Sequence, residues 1–177
     1  MKKLSIIFGL LAFLLGSVPA QAENYEGLTM YAKVNMHAYK NGIRSVNYHV
    51  GTLIPVNAAV VINSVDSDEV EFTVKSTGQK VTYDHHKKSP FSVAQWIERQ
   101  FSKSKINLNN FSKSERDGIK NAKLVKGMSK DAAITAYGYP TFEYTNSTKE
   151  NSWTYRKSRW NSLVVTFSKG RISNIKD

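Results

Sequence analysis

The chain has 177 residues, 25 Lys and Arg against 14 Asp and Glu, a net charge of +11 and no cysteine. The missing thiol excludes disulfides, cysteine nucleophiles and Cys-ligated zinc. The basic balance favours partners with anionic surfaces.

Export is written into the first residues. Lys2 and Lys3 precede an apolar run from Leu4 to Leu15, and Ala20-Gln21-Ala22 supplies small residues for cleavage. These are the parts of a bacterial secretory signal, and the run is too short for a spanning helix. No later run approaches the roughly 18–20 apolar residues that a membrane span requires. Glu23 rather than cysteine follows the cut, so the expectation is a periplasmic or secreted protein with no lipid anchor and no transmembrane segment in the mature chain. Removing Lys2 and Lys3 from +11 leaves the exported part at +9. In that compartment the anionic partners are lipid headgroups, cell-wall polymers or acidic protein faces, and not nucleic acid.

From Tyr31 to Asp84 the pattern is short and β-like. Strands are expected around residues 31–38, 43–49, 59–65, 69–75 and 79–84, with breaks at Asn41-Gly42, Gly51, Asp66-Ser67-Asp68 and Thr77-Gly78. Val70, Phe72 and Val74 alternate with Glu71, Thr73 and Lys75, as in a strand with one wet face. Asn41-Gly42 and Thr77-Gly78 suit the positive φ of tight hairpin turns. Five such strands read as a small antiparallel barrel.

The period changes at Ser89-Pro90. Ser89 as cap and Pro90 in the first turn predict a helix with Phe91, Ala94, Ile97 and Phe101 on one face. Ser112-Lys113-Ser114-Glu115 fits a capping box and starts a second short helix that turns Ile119 and Ala122 inward. Ser129 starts a third, whose Ala132, Ala133 and Ala136 give it a slim face. Gly138 and Pro140 end that helix. Three strands close the chain near residues 152–157, 163–168 and 171–175, the last two joined by Lys169-Gly170.

Two resemblances follow. Gly51-Thr52-Leu53-Ile54-Pro55, after two strands and before Val60-Val61-Ile62, resembles the loop into a central strand of bacterial SH3-like domains. The ordered set Val125-Lys126-Gly127-Met128-Ser129, Ala136-Tyr137-Gly138-Tyr139-Pro140, Trp153-Thr154-Tyr155 and Val164-Val165-Thr166-Phe167 resembles the SmpA/OmlA domain of the BamE-like family of small envelope proteins. That likeness covers roughly residues 112–177. It implies two helices on a three-stranded antiparallel sheet, in a family of non-catalytic partners in outer-membrane assembly. The same architecture occurs in proteins that inhibit β-lactamases. This chain differs from the family's outer-membrane lipoproteins in lacking an anchoring cysteine and in carrying an extra β-rich region.

Chemistry-bearing constellations are sparse. His85 and His86 beside Asp84, with His37 and His49 elsewhere, lack the spacing of a metal motif. There is no Gly-x-Ser-x-Gly elbow and no glycine-rich phosphate loop. The expectation is no catalytic residue, no metal and no cofactor. Nine basic residues between Arg99 and Lys130, Lys120 and Lys123 among them, form a candidate cationic face. Arg156, Arg159 and Trp160, extended by Tyr139 and Tyr144, form a candidate contact patch, because an exposed Trp–Arg pair anchors interfaces well.

The reading is α+β. Residues 1–22 are a signal peptide, 23–88 a β-rich SH3-like module, and 89–177 a helical connector with a BamE-like α/β module. The expected function is non-catalytic binding in the cell envelope, as adaptor or outer-membrane assembly accessory. The alternatives are an exported protein inhibitor of an enzyme and a binder of anionic lipid or cell-wall polymer.

Overall fold

Alternating apolar residues build the first half of the protein. The computed structural model describes residues 24–46 and 48–177, so residues 1–22, where a signal peptide is expected, lie outside the described residues. A six-stranded sheet contains β1 (Thr29–Ala32), β3 (Gly42–Arg44), β5 (Ala59–Val65), β6 (Glu69–Val74), β7 (Lys80–Asp84) and β8 (Phe101–Ser102). Its order is β3-β7-β6-β5-β1-β8, antiparallel throughout except for the β3–β7 pair. Val60, Ile62, Val70, Phe72, Val81 and Tyr83 are buried on its inner face. The long connection between β1 and β5 carries a separate antiparallel ribbon of β2 (Met36–Ala38) and β4 (Thr52–Ile54).

Turn chemistry explains two details of that ribbon. The tight turn after β2 puts Lys40 and Asn41, not Asn41 and Gly42, at positive φ, and Tyr39 and Gly42 exchange backbone hydrogen bonds across it. Gly51 has φ +97°, and any β-carbon there would run into the Ala38 backbone.

The helix after β7 starts later than Ser89-Pro90 predicts. α1 spans Val93–Gln100, with Ser92 as N-cap. Ser92 and Gln95 complete a reciprocal capping box, satisfying donors at both ends of the first turn, whereas Ser89 only accepts from Phe91 N. The shift rotates the helix. Val93, Trp96, Ile97 and Gln100 are buried and Ala94 is exposed. Trp96 stacks on Tyr83 at 3.6 Å, and α1 with Phe101 completes the first core. The helix of the expected connector thus packs with the β-rich half, and β8 pairs with β1.

The second core follows the sequence closely. α2 (Lys113–Lys120) starts at the Ser112/Glu115 capping box and α3 (Lys130–Tyr137) at Ser129. β9 (Ser152–Arg156), β10 (Ser162–Ser168) and β11 (Arg171–Lys176) form an antiparallel sheet with β10 in the centre. Trp153, Tyr155, Val165 and Phe167 share a core with Ile119, Met128 and the three alanines of α3. Ala122 departs from expectation, lying past α2 at φ +49°. Helices, an open antiparallel sheet and a curled six-stranded sheet make the chain α+β. Among the described residues, no helix is long and apolar enough to cross a membrane.

Candidate functional site: the seam and its margins

The two cores meet along the β2–β4 arm. Asn35, at the foot of β2, is 1% exposed. Its Nδ2 donates to the carbonyls of Ile119 (2.6 Å) and Ala136 (3.0 Å), and its Oδ1 accepts from Val56 N at 2.7 Å. Its own N–H donates to Thr135 O at 3.0 Å. These acceptors are last-turn carbonyls of α2 and α3, where intrahelical donors run out, although Ile119 O also accepts from Ala122 N just past α2. Ile134 packs against both cores.

Beyond Asn35 the seam is aromatic. His49 stacks on Tyr137 with ring centroids 3.6 Å apart and planes within 10°, and His37 lies 5.2 Å away. His49 N–H donates to Arg156 O at 3.3 Å, which ties His49 to the end of β9. His37 Nδ1, both His49 ring nitrogens, the Tyr155 hydroxyl and Arg156 Nε are buried without hydrogen-bond partners. Burial, reinforced by His37, lowers the His49 pKa to about 3, so its ring is neutral at pH 7. Burial likewise raises Tyr155 well above the usual tyrosine range.

A groove runs outside this seam. One chamber of about 350 Å³ is lined by His37, Tyr39, Lys40, Gly42, Arg44, Tyr48 and Asp84. A second, of about 310 Å³, shares Arg44, Tyr48 and Asp84 and adds His85, His86 and Glu143. Arg44 and Ser45 also line an inner niche of about 40 Å³ walled by Tyr83, Phe91, Trp96, Arg99, Tyr139 and Phe142. The Arg99 guanidinium lies between the rings of Phe91 (3.9 Å) and Tyr139 (3.7 Å). Desolvation lowers its pKa, opposed by Tyr139 and Tyr83.

The expected contact patch divides. Arg156 lies 5.4 Å from the Tyr144 ring, and Arg159 lies 5.1 Å from the Trp160 ring. Both pairs sit at the same end of β9, Arg156 closing the strand and Trp160 in the turn to β10. Trp160 is 82% exposed and Tyr144 57%. Tyr139 does not join them; it is half-buried against Arg99 and the first core. Lys120 and Lys123 are exposed at the far end of α2, Lys123 beside a shallow cavity of about 330 Å³.

The expected nine-residue cationic face is also smaller. Arg99 is enclosed in its aromatic cage. Lys130 Nζ donates to the carbonyls of Lys149 (2.8 Å) and Glu150 (2.6 Å) and lies over Trp153. Arg116 donates to Phe111 O at 2.5 Å. Among the described residues, no group of three or more His, Cys, Asp or Glu is placed to hold a metal ion. His85 instead hydrogen-bonds the Tyr83 hydroxyl at 2.9 Å. An isolated Asn before Met36 carries no periodicity signal, and nothing in the sequence ties His49 or Arg99 to the rings that pack on them.

Comparison with protein families, with curated proteins and with solved structures finds no match to this chain.

Proposed function

We propose that this chain is a non-catalytic binding protein of the bacterial cell envelope, exported by residues 1–22, that engages a protein partner through the Trp160 end of its second module. The observation that carries this reading is the exposure of Trp160 beside Arg159, with the Tyr144–Arg156 pair at the same end of the sheet. A large rigid aromatic held in water gains its area only on contact, and Trp–Arg pairs supply that gain at low entropic cost. The second core is closed without Trp160, so packing gives no reason for a tryptophan there.

The strongly shifted ionisable groups serve packing, which supports a non-catalytic role. His49 is stacked in the seam, and Glu115 holds the starts of two helices. The run β8-β1-β5-β6-β7, with a long arm after the first strand and a helix before the last, supports the SH3-like reading of the first half. Two helices followed by a three-stranded meander with one core support the BamE-like reading of the second. A shared fold leaves the partner open, so outer-membrane assembly and enzyme inhibition both use the same contact end.

Affinity capture from the envelope of the encoding organism tests this reading. The unaltered chain should retain one dominant protein at physiological salt and lose it on Trp160→Ala; capture that is empty, or unchanged by the substitution, contradicts it. Exposed Lys120 and Lys123 favour a second reading, adhesion to anionic lipid or cell wall. That binding would fall steeply as salt rises and would ignore Trp160.

A further inference from the structure

Arg99 is a cation without an anion. Its guanidinium carbon is 3.9 Å from one ring centroid and 3.7 Å from another, so both faces are covered by Phe91 and Tyr139. Among the described residues no carboxylate lies within ion-pair distance of it, and it donates no side-chain hydrogen bond. Its nitrogens are nonetheless not sealed: Arg99 lines the inner niche, whose volume of about 40 Å³ suits a group of a few atoms. Stacking fixes the plane of the guanidinium in advance and leaves its N–H edge as the only polar face on offer. A planar fork of donors held this way matches an oxyanion bidentately, with little side-chain entropy left to lose.

The surroundings narrow the ligand. Five aromatic rings wall the niche, Trp96 stacked on Tyr83 among them, beside the polar Ser45, Ser89 and Gln100, so the group entering must be small and its stem tolerant of apolar contact. Arg44 and Ser45 line both the niche and the chamber of about 310 Å³ outside it. That chamber is at the lower end of the roughly 300–1,000 Å³ range of small-ligand sites. It presents Asp84 and Glu143 as well as His85 and His86. Two acids there oppose a second negative charge and favour N–H groups behind the anion.

We propose that the niche is a carboxylate-binding site, in which Arg99 takes the carboxylate of a peptide whose adjoining residues occupy the outer chamber. Terminal and side-chain carboxylates share this chemistry, and phosphate polymers do not fit the acidic chamber. The site is separate from the Trp160 end, so each can fail without the other.

Nuclear magnetic resonance of the Arg99 Nε–Hε group tests the proposal directly. The probes are a mixed tripeptide library with free C-termini, the same library amidated, N-acetyl-glutamate amide and inorganic phosphate. Expected is a shift of the Arg99 signal with the free acids; a shift with N-acetyl-glutamate amide as well assigns the site to side-chain carboxylates too. Arg99→Gln should weaken binding by about tenfold or more. Arg44→Gln, at the exposed mouth, should weaken it less while leaving the fold intact, and Trp160→Ala should not change it. Acids and amidated peptides binding alike without a response to N-acetyl-glutamate amide, phosphate alone shifting Arg99, or no probe shifting it would each overturn the assignment.

Discussion

Asn35 Nδ2 donates to the Ala136 carbonyl at 3.0 Å, so a side chain of the β-rich half completes the last turn of a helix in the other half. Its second amide bond, to Ile119 O, adds to the one that this α2 carbonyl accepts from Ala122 N. The two cores are thereby joined by hydrogen bonds that neither half makes alone. Asn35→Ala would strand Val56 N and the Ala136 carbonyl in a dry seam, while the Ile119 carbonyl keeps its bond from Ala122 N. Since each unsatisfied buried group costs about 1–3 kcal/mol, the loss of two should be at least about 2 kcal/mol. Urea unfolding should show it, together with a broadened or split transition as the halves uncouple. An unchanged single transition would mean that apolar contacts alone hold the seam.

His49 makes stability depend on pH. Its folded pKa of about 3, set by burial and then by His37, lies below the ordinary histidine value of 6.5. Below pH 6.5 the unfolded chain takes up a proton that the folded chain refuses. Stability is therefore full above about pH 6.5 and is lost as pH falls towards 3, with a slope of at most about 1.4 kcal/mol per pH unit. His37, lowered in the same direction by burial, adds to the trend. The neighbouring tyrosines, Tyr137 and Tyr155, are both raised by burial and keep their protons over this range. His49→Phe preserves a ring against Tyr137 and should flatten the unfolding midpoint between pH 6.5 and 4. A variant as pH-sensitive as the parent would remove His49 from the account.

Glu115 acts at lower pH. Burial alone would raise its pKa, but bonds from the backbones and hydroxyls of Ser129 and Ser112 outweigh this and hold it at about 2. Its Oε2 accepts from Ser112 N and its Oε1 from Ser129 N, both at 2.9 Å, so one carboxylate caps the starts of both α2 and α3. The stability it contributes is present above about pH 4.5 and lost as pH falls through 2. Glu115→Gln should cost about 2 kcal/mol at pH 7 and little at pH 2, read from paired denaturant titrations. A constant penalty across that range would show that shape rather than charge matters at this position.

Much of the architecture is legible in the sequence because its causes are local. The Ser112 box, the alanine face of α3, Gly138 and Lys169-Gly170 act within a few residues, and the helices and turns fall where they indicate. Ser89-Pro90 misleads because two adjacent start signals compete, and Ser92 wins by having Gln95 three residues on. Trp160 and Tyr144 are legible as aromatics left at the surface, whereas Tyr139 is drawn off to Arg99 by a contact forty residues away in sequence. The seam is illegible for the same reason. Asn35 acquires its meaning only from carbonyls that the chain brings to it 84 and 101 residues later.

Cross-linking in the living envelope tests the binding role most directly. A photoactivatable aromatic residue placed at Trp160, which keeps a ring there, with the same residue at exposed Asn63 on the first sheet as control, reports what each surface touches. A single discrete protein adduct from position 160, absent from position 63 and lost when Arg159 is replaced by Ala, is the predicted result. The same adducts from both positions, or none from position 160, would contradict a partner docked on that end of the sheet.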